Sequence, residues 1–119
     1  MGPSIAVNKS WLLNFLDFPA EKARSFRAQD SSMSPTIEEG NVCLIRVEKD
    51  MDLVSSGFEG IYLSKIDKTY QLRRFQKSPR NTVLVVTDNP FFMDWETPLD
   101  EFKEKIVILG KVFWAGGYI

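Results

Sequence analysis

The sequence predicts a mainly β fold, with bent antiparallel sheets and one short N-terminal helix. Three observations predict it. At least five short runs rich in Val, Ile, Leu, Phe and Tyr alternate with clusters of Gly, Pro, Asp, Asn and Ser. Beyond a short segment near the N-terminus, no stretch reads as a long helix. Glycines fall inside or beside the β-rich runs, where they favour coiled and bent sheet. The chain has 119 residues, 44% of them hydrophobic and 13% aromatic, which is one domain with apolar side chain enough for a core.

The elements follow in order. Met1-Gly2-Pro3-Ser4 has no periodic signal and reads as a linker remnant or an expression scar, leaving 5–119 as the domain. Asn8 and Ser10 are caps for a short helix with Trp11, Leu12, Phe15 and Leu16 on one side, and Pro19 follows its end. Phe26-Arg27-Ala28 is a short strand leading into the turn Asp30-Ser31-Ser32-Met33-Ser34-Pro35-Thr36. After a further turn at Glu38-Glu39-Gly40-Asn41, Val42 to Val47 is a strand. Gly60 opens a strand from Ile61 to Ile66, Asp67-Lys68 is a hairpin turn, and Tyr70 to Phe75 returns antiparallel. Thr82 to Val86 is β-branched and apolar, hence a buried strand, ended by Thr87-Asp88-Asn89-Pro90. Residues 91–104 read as irregular or weakly helical, with Pro98 against a long helix. Lys105 to Trp114 is the last strand.

Composition excludes several classes of function. Fifteen Lys and Arg against sixteen Asp and Glu give a net charge of -1, far from the strongly basic balance of a domain that binds nucleic acid by electrostatics. No apolar run approaches the roughly 20 residues of a membrane span, and the N-terminus lacks a signal-peptide pattern. The absence of histidine excludes a Ser-His-Asp triad, a Cys-His dyad and His-ligated metal sites. A single cysteine, Cys43, forbids an internal disulfide, fits a reducing cytoplasm, and reads as a buried inert thiol. Acid–base chemistry would fall to a carboxylate, a lysine or a tyrosine.

Chemistry concentrates around Ser32. A serine in a rigid turn between strands can expose its hydroxyl and aim backbone N–H groups at a developing oxyanion. Taken alone, Ser-Met-Ser-Pro-Thr is also an ordinary turn, and most turn serines only cap backbone. The segment Asp30-Ser31-Ser32-Met33-Ser34-Pro35-Thr36-Ile37-Glu38-Glu39-Gly40-Asn41, followed by Val42 to Val47, resembles the C-terminal domain of the LexA and phage CI-type repressors. That family of Ser-Lys self-cleaving peptidases typically carries Gly-Asp-Ser-Met-x-Pro-Thr. Trp11-Leu12, Gly60-Ile61-Tyr62, Thr87-Asp88-Asn89-Pro90 and Gly110-Lys111-Val112-Phe113-Trp114 are similar to other family segments in the same order, so the resemblance spans 5–119.

The resemblance places Ser32 at the nucleophile position. It places Arg73, in Leu72-Arg73-Arg74-Phe75, where the family has its general-base lysine. Arginine stays protonated and has no lone pair to accept the serine proton. The usual Gly-Asp before the serine is Asp30-Ser31 here. Strand alternation puts Arg73 on one face with Gln71 and Phe75, and Arg74 on the other with Leu72. Lys65, Lys68 and Lys77 read as solvated charges rather than replacement bases.

What the resemblance implies is the dimerisation and regulatory domain of a phage-like (prophage) repressor, cytoplasmic, without cofactor or metal, with self-cleavage lost or impaired. The full-length protein would carry a helix-turn-helix domain for operator DNA and respond to a RecA filament or an antirepressor. The family's scissile Ala-Gly or Cys-Gly bond would lie upstream of this chain. An active Ser-Lys autoprotease of the SOS response is the alternative, and an unrelated β-barrel binding module, with Ser32 buried, a third. Among remaining features, Arg73, Arg74, Lys77 and Arg80 read as a solvated hairpin edge rather than a phosphate-contacting patch. Glu96, Asp100, Glu101 and Glu104 read as a solvated loop rather than a cation site. For Phe91, Phe92 and Trp95, packing over the sheet is favoured, with a dimer contact as the alternative.

Overall fold

Runs of β-branched and aromatic residues become strands where each finds a partner, and here every pairing is antiparallel. The structure, a computed structural model, describes residues 20–47, 53 and 57–117. A 3-10 turn, Ala20–Lys22, leads into β1 (Ala23–Arg27), β2 (Val42–Val47), β3 (Tyr62–Ile66), β4 (Thr69–Ser78), β5 (Thr82–Val86) and β6 (Trp95–Pro98). Helix α1 (Leu99–Lys105) and the long strand β7 (Ile106–Gly116) complete the order. The seven strands form one sheet in the order β1-β2-β7-β3-β4-β5-β6. No helix among the described residues is long and apolar enough to cross a membrane.

Local chemistry sets the register. Asp67 and Lys68 both take positive φ, 50° and 68°, the geometry of a two-residue hairpin whose twist matches its strands. Ile66 therefore faces Thr69, and the Thr69 hydroxyl donates to the Ile66 carbonyl at 2.8 Å. In β7, Gly110 pairs with Val47 on one side and Leu63 on the other. A Cβ there would lie 2.3 Å from the Arg46 carbonyl oxygen, so β2 and β7 approach this closely only over a glycine.

β4 is shared between two partners. Thr69 to Arg73 pair with β3, and Arg74 to Ser78 pair with β5. Its buried residues are Leu72, Phe75 and Ser78, and the odd spacing of Leu72 and Phe75 puts them on opposite faces of the sheet, both of which are covered. Two apolar clusters result. Phe26, Met33, Ile37, Cys43, Leu63 and Leu72 belong to one, and Tyr62, Phe75, Val83, Val85, Phe102 and Ile106 to the other. The Phe75 ring meets Phe102 edge-on, with centroids 5.4 Å apart.

β2 and β5 match the sequence reading to the residue, while β1 starts earlier and β4 runs on to Ser78. In the segment 91–104, expected to be irregular or weakly helical, β6 is the departure, while α1 is short, 7 residues, in keeping with Pro98 against a long helix. Pro98 stands at its N-cap with φ -57°, where its missing N–H breaks no helical hydrogen bond. The Leu99 N–H donates to the Asn81 carbonyl at 3.1 Å, and α1 buries Phe102. The basic residues of β4 are not on a sheet edge, since β5 and β6 lie beyond them. The expected helix bearing Trp11, Leu12, Phe15 and Leu16, with its caps Asn8 and Ser10, lies outside the described residues, as does 1–4.

Phe75 reaches β3, β4 and α1 at once, through its ring contacts with Tyr62 and Phe102. Phe75→Ala should lower unfolding free energy by about 3–5 kcal/mol, read from the denaturant midpoint at unchanged m-value.

Candidate functional site

The loop carrying Ser32 is pinched at its base, where the Ala28 N–H donates to the Asn41 carbonyl and the Gly40 N–H to the Ala28 carbonyl, both at 2.9 Å. Within it the chain turns twice, through Ser34 N–H to Ser31 carbonyl at 3.1 Å and Ile37 N–H to Met33 carbonyl at 2.9 Å. Met33 and Ile37 are buried in the first cluster and anchor the turn. The Ser34–Pro35 peptide is cis. Asp30 Oδ1 accepts the Ser32 N–H at 2.9 Å, and Ser32 itself is only 2% exposed.

Arg73 reaches this turn from the last residue pair of the β3–β4 ladder, Tyr62 with Arg73. Its Nη1 donates to Ser32 Oγ at 3.0 Å and to the Leu72 carbonyl at 2.7 Å. Burial pushes the Arg73 guanidinium below its ordinary pKa, and the charge of Asp30 opposes that shift. The structure thus brings together the two residues that the resemblance singles out.

Arg74, the next residue, lies by alternation on the opposite face with Leu72 and binds Asp88 there. Its Nε donates to Asp88 Oδ1 at 2.7 Å and its Nη2 to Asp88 Oδ2 at 3.1 Å, a bidentate pair. Thr36 Oγ1 donates to Asp88 Oδ2 at 2.5 Å, which ties the Asp88 loop to the Ser32 loop. Asn89 completes the tie, with its N–H on the Ser32 carbonyl at 3.0 Å and its Nδ2 on the Ser31 carbonyl at 2.9 Å. Consecutive arginines at the point where β4 changes partner thus serve one pair of loops. Sequence reasoning found Thr87-Asp88-Asn89-Pro90 only as a turn. Asp and Asn in that turn were the available signal, since both residue types bond readily to backbone.

The remaining candidates separate from the site. A small pocket beside Ser32 has room for about one water, roughly 10 Å³, and its wall includes Gln29, Asp30, Met33, Tyr70 and Leu72 but no lysine. Lys65 stands over the Tyr70 ring at 6.0 Å, and Lys68 and Lys77 are exposed. Of the basic residues grouped in the sequence, Arg73 and Arg74 are used internally and Arg80 lies 3.7 Å from Glu96. Glu101 pairs with Lys105 at 3.2 Å, and no group of three or more metal-ligating side chains forms among the described residues. Burial pushes the Cys43 thiol up to about 11, as for an inert buried sulfur. Phe91, expected to pack over the sheet, is 94% exposed, and its neighbour Met93 is 87% exposed. The loop from Pro90 is held by polar contacts, Phe91 N–H to Asn89 Oδ1 and Thr87 N–H to Asp94 Oδ1, and these leave both side chains outside the core.

A serine held in a tight turn, with a basic side chain delivered from a neighbouring strand of a bent antiparallel sheet, is the layout of a serine peptidase-like β domain. The Peptidase S24-like family model matches residues 3–113, so the chain belongs to that family, the family of LexA/CI-type C-terminal domains. A search of curated proteins finds no match. Burial of Ser32 is what an unrelated β module would also show, and the family match is what separates the two readings.

The Arg74 hydrogen bond, and secondarily the Thr36 hydroxyl, hold the Asp88 carboxyl below the usual carboxylate range, against the opposing effect of burial. Its folded pKa is therefore below the unfolded value of about 3.9. The stabilisation is complete above about pH 4 and is lost as pH falls through the depressed value. Asp88→Asn should cost about 1 kcal/mol near neutrality, since the pair is partly solvent-exposed, and should flatten the acid limb of a stability–pH curve.

Proposed function

We propose that this domain is the C-terminal regulatory and dimerisation domain of a phage-like transcriptional repressor in which self-cleavage is lost or impaired. The observation that carries this reading is the direction of the hydrogen bond between Arg73 and Ser32. A general base must accept the serine proton while Oγ attacks a carbonyl. Arg73 Nη1 donates to Oγ instead. Desolvation lowers its pKa but supplies no lone pair at neutral pH, because guanidinium remains protonated in proteins. Lysine in the same place would donate when charged and accept once desolvated and neutral.

What remains is association. Pairing two copies of this domain would hold two helix-turn-helix domains of the full-length cytoplasmic repressor at adjacent operator half-sites, raising their effective concentration on DNA. The exposed Phe91 and Met93 support a role in contact with another chain. A RecA filament or an antirepressor would supply the inducing signal. A homodimer is expected in equilibrium sedimentation, and monomer alone at high micromolar concentration would sink that part of the reading.

A second reading, an active Ser-Lys autoprotease of the SOS response, is favoured by the complete turn around Ser32. The two separate in one experiment. An Ala-Gly linker peptide is supplied in trans from neutral to alkaline pH, to the present sequence, to Arg73→Lys and to Arg73→Lys/Ser32→Ala. Cleavage only in Arg73→Lys is the expected result. Cleavage by the present sequence that disappears in Ser32→Ala would mean that another group activates the serine.

A further inference from the structure

Acyl transfer by a serine needs two groups of that residue free, the hydroxyl that attacks and the backbone N–H that commonly helps hold the developing oxyanion. Both groups of Ser32 are occupied from within the chain. Oγ accepts from Arg73 Nη1 at 3.0 Å, and the N–H donates to Asp30 Oδ1 at 2.9 Å. The Asp30 carboxylate thus lies on the donor that an oxyanion would use, and the Arg73 guanidinium lies on the hydroxyl of the same residue. The charge of Asp30 acts on Arg73, so the two groups are close enough to feel one another. The small pocket that Asp30 and Ser32 line has room for about one water, roughly 10 Å³. Glycine, the residue that the resembled motif carries at this point, has no side chain with which to occupy the N–H.

We propose that the Ser32 N–H, with the Arg73 guanidinium on the hydroxyl of the same residue, is a receptor for a carboxylate or oxyanion, and that Asp30 occupies its N–H in cis. The chain then carries two independent blocks on acyl transfer, a base that cannot accept a proton and a carboxylate seated in the oxyanion position. The proposal rests on the reading of Ser32 as the nucleophile position. An ordinary Asp turn makes the same hydrogen bond but hides no receptor, so removing its carboxylate uncovers nothing.

Acetate is the probe for the receptor. In amide NMR, the Ser32 signal of Asp30→Ala should move saturably with acetate, while that of the present sequence should not. The response should vanish in Asp30→Ala/Arg73→Gln. If Asp30→Ala does not fold, Asp30→Gly carries the same test with the motif's own residue. A folded variant whose Ser32 amide ignores acetate overturns the proposal.

The block is read by an alkyl fluorophosphonate in the Arg73→Lys background. Ser32 Oγ attacks phosphorus, fluoride leaves, and the hydroxyl proton passes to the introduced amine. Arg73→Lys/Asp30→Ala should react about 10- to 100-fold faster than Arg73→Lys, the effect of restoring one oxyanion donor. Equal rates overturn the block. No phosphonylation of either form overturns the nucleophile-position reading itself, and the acetate response then decides the receptor alone.

Discussion

The arrangement depends on one handover. Between Arg73 and Arg74 the hydrogen-bond ladder of β4 passes from β3 to β5. Alternation sends these two arginines to opposite faces, Arg73 with Phe75 and Arg74 with Leu72, and the two faces carry the two apolar clusters. Both guanidinium groups nevertheless reach the loops that meet beside the handover. Arg73 binds the serine turn, Arg74 binds Asp88, and Asp88 and Asn89 bind the serine turn in return. The site is thus a closed circuit of charged and backbone contacts built where the strand changes partner.

On the proposed reading, arginine within that circuit stands where a Ser-Lys dyad has its lysine and reverses the chemistry. The planar guanidinium satisfies Ser32 Oγ and the Leu72 carbonyl from one nitrogen, so it braces the turn against the strand. Burying a cation is costly unless it is well bonded, and here two oxygen acceptors and the nearby Asp30 charge offset the loss of water. A lysine ammonium relieves the same cost differently, by giving up its proton. Arginine cannot, and the same burial that would make lysine a base makes arginine a fixed strut.

Much of the fold was legible where the chain's own chemistry decides it. Val42 to Val47 and Thr82 to Val86 are continuous β-branched and apolar runs, and Asp67-Lys68 tolerates positive φ well enough to turn a hairpin. Of the segment from Trp95 to Lys105, the helix is short, as Pro98 argues, while β6 was not legible, because pairing with β5 and not its own pattern makes it a strand. That both Arg73 and Arg74 reach one pair of loops was not legible either, because those loops are remote in sequence. Phe91 shows the opposite limit, since an aromatic residue reads as core until the surrounding loop is seen to be held by polar bonds alone. For the site, Ser32 and Arg73 came together on the page only through the resemblance. Neither propensity nor spacing links residues on a loop and a strand 41 positions apart. The carboxylate on the Ser32 N–H needed coordinates, because Asp30 in a turn has several backbone donors within reach.

The bond from Asn89 to the Ser31 carbonyl spans 58 positions of sequence. Synthesis runs from the N-terminus at about 5–20 residues per second, so the serine turn exists for roughly 3–12 seconds before the side chain that braces it has been made. Until then the segment lacks the Asp88 loop, and for the first 41 positions after Ser32 it lacks Arg73 as well. The ribosome therefore imposes a schedule on this architecture, in which the environment of the serine is completed long after the serine itself. The serine turn takes its final surroundings only when most of the sheet has been built.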